Sequence, residues 1–362
     1  MTSEYKLILY STAGAKLAEV DDYLDLSVIR TVNAPGRIDF VLNGMHPAVA
    51  LLADRAPVCV LRKNAALGLP WTIEQWGLYR AQQRNFTDRY SFQATCLGLQ
   101  SMLSWRHVLY FSGANNLSRF TNKPAETIAK TLVDYNLGAN ALTANGRMVS
   151  AAMTGISVET DGARGNPLDK AMAWQNLLTA LQEIASVGGG DFDLVATAPT
   201  TWQFRWYPGQ LGTDRTATML FALERSNMAN PRYTDDKSAE ATIALAGGQG
   251  EGSARAIQAV QASTYSSSYH IETFVNATQL TTTAGLQDAA TLALWQQRAI
   301  KTFDFEVLQV PACAYGVHYF LGDLAKAKFQ EVTATRKIVE VDLAFQPGGE
   351  ETINVLTADV VS

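Results

Sequence analysis

The sequence predicts a mainly β protein with an α+β middle. Three observations carry that expectation: short runs at both ends in which apolar and polar residues alternate, helical periodicity confined to the interior, and a composition 47% hydrophobic and 17% charged, ordinary for a folded chain. At 362 residues there is material for two to four packed units, because single cores rarely grow past about 250–300 residues. The expected division is a small β-barrel or sandwich module over 1–101, a helical α+β unit over 102–190, a β-rich unit over 191–262, and a second β-barrel or sandwich module over 263–362.

The first hundred residues read as strands throughout. Leu7 and Leu9 share a face in the run LILYSTAG, which lacks the cationic lead and the full apolar length of a secretion signal. Leu26, Val28 and Val32 alternate up to a turn at Asn33–Gly36, and Ile38, Phe40 and Leu42 alternate back, which predicts a hairpin. Further strands are expected at Val58–Leu61, Trp71–Gln75, Leu78–Ala81 and Tyr90–Leu99. Short strands at this spacing suit a small closed barrel or a sandwich.

The middle changes period. Pro124 marks a helix start, Ile128, Leu132 and Tyr135 make its apolar face, and Gly138 is expected to end it in a left-handed turn. A second helix is expected from an Asn166 cap, Pro167 and Asp169, with Leu177, Leu181 and Ile184 as its stripe and Gly188–Gly190 as its stop. Between the two, 140–164 reads as extended connection. Phe192 and Leu194, then Trp202, Phe204 and Trp206, alternate on either side of ATAPT, a hairpin pattern. A strand at Thr218–Leu223 precedes the segment Asn227–Lys237, whose Asn, Pro and Asp content predicts a loop, and a strand follows at Ala241–Ala246. A third helix is expected over Ala284–Ile300, after a strand at His270–Phe274 and before one at Phe303–Val310.

The closing stretch returns to period two. Val317, Tyr319 and Leu321 alternate, Leu321–Asp323 makes a corner, and a lysine-bearing segment runs to Phe329. Val339, Val341, Leu343 and Phe345 then share a face opposite Glu340 and Asp342. A Pro347–Gly349 turn leads to a last strand at Ile353–Leu356.

Few residues suggest chemistry. The net charge of −5 gives no footprint for nucleic acid, and no window holds the roughly 18 uncharged apolar residues that cross a bilayer. Cys59, Cys96 and Cys313 are far apart, odd in number and set in apolar runs, so buried thiols are expected and neither a disulfide framework nor a zinc site is. His46, His107, His270 and His318 show no ligand spacing. The cluster Gly247–Gly252 lacks the lysine of a phosphate loop and the spacing of a dinucleotide fingerprint, and Glu251 would repel phosphate. There is no Gly-x-Ser-x-Gly elbow. Asp191 and Asp193 are a conceivable acid–base pair, more readily read as solvating residues at a glycine-rich turn. Trp202, Phe204 and Trp206 are either a stacking platform for sugars or the inside of a half-buried strand, with Arg205 on the other face. No catalytic, cofactor-binding or metal residue is therefore assigned, and no cofactor is expected.

Four stretches together resemble the tail hub, or baseplate hub, proteins of long-tailed bacteriophages and phage-like particles: DLSVIRTVNAPGRIDFVLNG; FTNKPAETIAKTLVDYN; GGGDFDLVATAPTTWQFRWYPGQLGTDRT continuing to NPRYTDDKSAEATIALAGGQGEGSAR; and GVHYFLGDLAKAKF with IVEVDLAF. The resemblance is one of segment order over most of the chain. It implies a non-enzymatic homotrimer in the virion tail tip, assembled in the host cytoplasm, in which two related β-modules per chain form a pseudo-sixfold ring. The implied partners are the distal tail or tail tube ring protein, the central fibre or spike protein and the tape measure protein. DNA would pass through without specific binding, which suits an acidic lumen. Some hubs carry a fused cell-wall-degrading domain, and here the chain stops just after its last strand, so such activity is expected in a separate protein. The alternatives from other classes are a carbohydrate-binding receptor using the Trp202–Trp206 face, and a peptidoglycan hydrolase resting on scattered carboxylates.

Overall fold

The computed structural model describes residues 3–111, 116–308, 310–346 and 351–359. The expected Pro347–Gly349 turn lies outside them. The strands are β1 (Glu4–Tyr10), β2 (Lys16–Val20), β3 (Asp25–Thr31), β4 (Arg37–Asn43), β5 (Pro57–Asn64), β6 (Leu69–Phe86), β7 (Tyr90–Gly98), β8 (Ser118–Pro124), β9 (Ile156–Val158), β10 (Pro167–Met172), β11 (Gly190–Ala198), β12 (Thr201–Pro208), β13 (Leu220–Ala222), β14 (Met228–Asp236), β15 (Ile243–Gly247), β16 (Ile257–Gln261), β17 (Glu272–Asn276), β18 (Ile300–Val307), β19 (Leu324–Phe329), β20 (Val332–Phe345) and β21 (Thr352–Asp359). The helices are α1 (Ser101–Ser104), α2 (Ala125–Asn136), α3 (Leu177–Gly188) and α4 (Thr283–Gln296). The mainly β class with an α+β middle is what the chain adopts.

The two β-rich ends are one structure. Among the described residues a 13-stranded sheet runs β14-β18-β21-β20-β3-β4-β7-β6-β5-β1-β2, with β19 also on β20 and β13 on β19. This order does not close, so the expected small barrels are not found. The link is β20, whose 14 residues change partner halfway. Lys337–Val332 pair with β19 and Glu340–Phe345 pair antiparallel with Thr31–Leu26 of β3, while β21 lines the opposite edge. At the changeover the register shifts between Ile338 and Glu340. One extra residue in a strand turns the following side chains over. Ile338 therefore takes the inward position expected for Val339, followed by Val341, Leu343 and Phe345.

A single apolar cluster fills this sheet from both ends of the chain. Leu7, Leu9, Val28 and Phe40 lie with Phe303, Ile338, Leu343 and Ile353, and the Tyr5 and Phe345 rings are 5.1 Å apart. A second cluster joins Leu99, Met102 and Leu103 to α2, α3 and the β11-β12 hairpin. The third, over β15 and α4, is mostly alanine. β13 and β14, from within 191–262, pair in the large sheet with β19 and β18.

Several local expectations give way to tertiary structure. Tyr315–Leu321 is a set of turns in which Gly316 N–H donates to Tyr319 O. Its spaced aromatics are the buried Tyr315 and Tyr319, and Val317 is exposed. The Leu321–Asp323 corner does form, with Gly322 at φ +85°, a value costly to a residue with a Cβ. Asn227–Lys237 is largely strand β14. Pro231 is tolerated because β14 is the outer strand and its register shifts between Ala229 and Arg232. Trp71–Gln75 and Leu78–Ala81 merge into β6.

The second helix starts ten residues later than expected, since Pro167–Met172 pairs with β8 and the cap is Asn176, whose side chain accepts from Leu178 N–H at 3.0 Å. Helix α2 ends without a left-handed residue at Gly138, at Leu137 with φ −132°, whereas Gly189 ends α3 at φ +67°. The third helix stops at Gln296, and Ile300 already belongs to β18. Asn176→Ala should lower stability by about 1 kcal/mol, the usual cost of losing a side-chain cap, read as a fall in thermal midpoint with unchanged far-ultraviolet dichroism.

Candidate functional site

What the sequence could not display is a set of buried ion pairs and hydrogen bonds where separate parts of the chain meet. The first ties the start of the chain to its last strands. Arg62 sits on β5 with its side chain at 0% exposure, against 3% for Glu351. Its Nε and Nη2 donate to the two Glu351 oxygens at 2.8 Å each, and Nη1 donates to Tyr315 O at 3.0 Å. Tyr5 and Ser3 hydroxyls donate to the same carboxylate. A guanidinium and a carboxylate matched in a fork give each charge directional partners, which offsets the cost of taking both from water.

Beside it, Arg30 of β3 donates to Glu74 at 3.0 Å and to the Tyr315 hydroxyl at 2.8 Å, and that hydroxyl donates to Glu74 at 2.6 Å. The turns at 315–321 thus form the plug on which β3, β5 and β6 converge.

The second joint fastens the β11-β12 hairpin to the large sheet. Asp191 is buried, accepting from Asn33 Nδ2 at 2.8 Å and Leu211 N–H at 2.7 Å and paired with Lys337 of β20 at 2.5 Å. Asn33 also accepts from Phe192 N–H at 2.8 Å, so the tip of the β3-β4 hairpin is hydrogen-bonded to both neighbours. Asp191 is therefore structural and not solvated. Asp193, two residues on, accepts from Gln100 and from Leu194 N–H at 2.7 Å; burial raises its pKa. Asp191 is thus held by Lys337, and Asp193 by Gln100 and the Leu194 amide. Asp323, in the Leu321–Asp323 corner, repeats the device, accepting from Thr213 N–H and Arg215 Nε at 2.6 Å each.

Between the joints lies a cleft of about 280 Å³, whose polar lining includes Arg30, Glu74, Gln100 and Asp193.

The remaining sequence candidates are accounted for by packing. Trp202 and Trp206 are 7% and 1% exposed, facing α2 and α3 with Phe192, Leu194 and Phe204. Gly190 leaves room for the Trp206 ring, since a Cβ there would come within 2.6 Å of it. The platform required by the carbohydrate reading is inside the protein. Arg205, on the other face, donates to Gln203 at 2.9 Å.

The glycine cluster is occupied by Arg255, which donates to Gly247 O and Gly248 O, so carbonyls and not amides meet there. The three cysteines are buried and free, and burial pushes Cys313 up to about 11. His46 binds Asp22 and caps the short 3₁₀ turn Pro47–Leu51; His318 accepts from Ala314 N–H; His270 lies 3.4 Å from Glu272; and His107 bridges to Asn176. No group of three metal-ligating side chains occurs among the described residues, and none of their helices is long and apolar enough to cross a membrane.

A further buried charge, Glu126 of α2, lies in the α+β part. Burial alone would raise the Glu126 carboxyl, but hydrogen bonds from Arg164 and Lys130 outweigh it and hold the group at about 2. A depressed carboxylate contributes stability above its unfolded value of about 4.3, and that stability is lost as pH falls toward the folded value. Wild type should thus lose stability between about pH 4.5 and pH 2 more steeply than Glu126→Gln, measured by urea unfolding at pH 7 and pH 3; parallel curves would count against this role. At the first joint, Arg62→Met should cost about 3–5 kcal/mol by stranding Glu351, and Arg62→Met combined with Glu351→Leu should recover much of that loss.

The fold has solved counterparts. A tail protein from Neisseria meningitidis MC58 superposes with TM-score 0.61 at 12% identity, over 99% of this chain and 97% of that one. The 43 kDa tail protein of prophage MuSo2 from Shewanella oneidensis gives 0.63 at 11% identity, over 99% and 98%. An Escherichia coli component of the type VI secretion system, described as structurally similar to T4 tail proteins gp27 and gp5, gives 0.51 at 11% identity, over 99% and 77%. At such identities the likeness speaks for fold, and that fold is the one found in phage tail proteins. No curated protein sequence matches. A family model does match, across residues 7–356, and with nearly the whole chain inside it, this protein belongs to the siphovirus ReqiPepy6 Gp37-like family.

Proposed function

We propose that the chain is a structural, non-enzymatic hub of a phage-type tail tip. Three copies form a ring that joins the sixfold tail tube or distal tail ring to a threefold central fibre or spike, around the path of DNA. The observation that carries this reading is the end-to-end match of fold to tail proteins, over 97% and 98% of their chains. A likeness of that extent supports a role within the tail.

The buried joints support the same role. A protein that transmits force and symmetry between neighbours needs its parts fixed relative to one another, and Arg62–Glu351 and Asp191–Lys337 both connect distant segments through buried charge. Cyclic repetition of one contact converts such a rigid unit into a closed ring. The net charge of −5 agrees with a DNA path, because a strongly basic protein would hold DNA through counterion release. Native mass spectrometry of the purified protein, and of isolated tail tips, should give three copies. A stable monomer that forms no ring in tail particles is the outcome that rejects the reading.

A further inference from the structure

We propose that the surface around Arg147 and Trp174 is a docking site for an acidic segment of a neighbouring protein, whose carboxylates pair with Arg147 and Arg106 while its apolar side chains cover Met148, Val149 and Trp174. The inference deepens the tail-tip reading above by giving the chemistry of one contact.

The site is built on a turn. Gly146, at φ +90°, closes the short 3₁₀ turn Thr143–Asn145, and Arg147 N–H donates back to Leu142 O at 3.2 Å. Phe111 N–H donates to Gly146 O at 3.1 Å and Met148 N–H to Leu109 O at 2.9 Å, so residues 146–148 lie along 109–111. On the other side Val108 N–H donates to Gln175 O, and Trp174 N–H donates to Val108 O. The Phe111 and Trp174 rings come within 5.6 Å.

The charge in this cluster has no counterpart. Arg147 is 5% exposed; its Nη1 donates to Val149 O, its Nε has no hydrogen-bond partner, and no carboxylate pairs with it among the described residues. The charge that acts on it is another cation. Repulsion from Arg106, half-buried just after α1, adds to the burial that lowers the Arg147 pKa. The Arg106 side chain donates only to Trp105 O among the described residues, at 3.3 Å, and its Nε is also unpartnered. By contrast, the buried charges of Arg62, Glu126, Asp191 and Asp323 each touch an opposite one. Burying a cation is costly until an anion meets it, and here the chain supplies none.

The rim beside Arg147 is apolar. Met148, Val149 and Trp174 are each at least half exposed. Trp174 holds φ +66°, a left-handed backbone that a bulky side chain rarely adopts and that its surroundings must enforce. An exposed tryptophan next to arginines has the composition of an interface hot spot. A free inorganic anion would answer the charge and leave the rim in water, and a nucleic acid would meet the net −5 of the chain. A peptide segment that carries both acids and apolar side chains answers both needs.

The test uses the whole chain and three probes: an acetylated Leu-Asp-Glu-Leu-Asp-Glu peptide, its Leu-Asn-Gln-Leu-Asn-Gln counterpart, and inorganic phosphate, each followed by titration calorimetry and tryptophan fluorescence. The acidic peptide should bind, more weakly as salt rises, and the amide peptide should not. Trp174→Phe should remove the fluorescence change, and Arg106→Gln should weaken binding about tenfold or more. Arg106→Gln should also raise the thermal midpoint of the unbound protein by removing a like charge from beside Arg147, a readout that stands even where Arg147 variants fail to fold. Failure of the acidic peptide to bind, equal binding of both peptides, binding that Arg106→Gln leaves unchanged, or a lowered midpoint in that variant overturns the proposal; phosphate binding without peptide binding does so too. None of these measurements involves ring formation. A monomer that binds the acidic peptide removes the three-copy reading and leaves this contact, and a trimer that does not bind it does the reverse.

Discussion

The pairing of β3 with the second half of β20 is the constraint on which the rest of the molecule depends. It aligns Leu26–Thr31 with Phe345–Glu340 in unbroken register, so strands from opposite ends of the chain share one sheet and one core. Everything nearby follows from keeping that register. The irregularity at Val339 lets β20 leave β19 and meet β3 without turning an apolar side chain to solvent. The turns at 315–321 fill the space beneath with Tyr315 and Tyr319. Arg62 and Glu351 then fasten β5 to the segment that leads into β21, where a slip by one residue would bury a charge without its partner.

The polar joints do a different job from the apolar core. Hydrophobic contact tolerates small shifts, because it is non-directional. A carboxylate that accepts from Asn33, Leu211 and Lys337 at once does not. Asp191 and Asp323 thus orient the α+β part on the large sheet.

Much of the fold was legible where local pattern and burial agree. The alternation in Leu26–Leu42 and in Phe192–Trp206, the stripe of α2 and the end of α3 at Gly189 could all be read from single segments. The failures have a common physical cause, which is that partners distant in sequence override local preference. Asn-Pro-Arg-Tyr-Thr-Asp-Asp looks like a loop until β18 supplies an edge to pair with. Pro167 looks like a helix start until β8 takes the segment into a sheet, leaving Asn176 to cap α3. Val339 looks inward by counting, and a bulge cannot be counted in advance. The joints were the least legible part, since Arg62 and Glu351 are 289 positions apart and nothing near either marks it as buried. Asp191 carries a weak signal, a carboxylate between a triple glycine and an apolar strand, but local pattern alone suggests solvation there.

The partner change along β20 also has a consequence for how the protein is made. Thr31 and Glu340, hydrogen-bonded across the sheet, are 309 residues apart. During synthesis the β3 edge facing β20 therefore stays unpaired until residues 340–345 have left the ribosome. Contacts of such long sequence separation are slow to form and leave strand edges open to the wrong partner meanwhile. The open edge of β3 is thus covered only once β20 has been made.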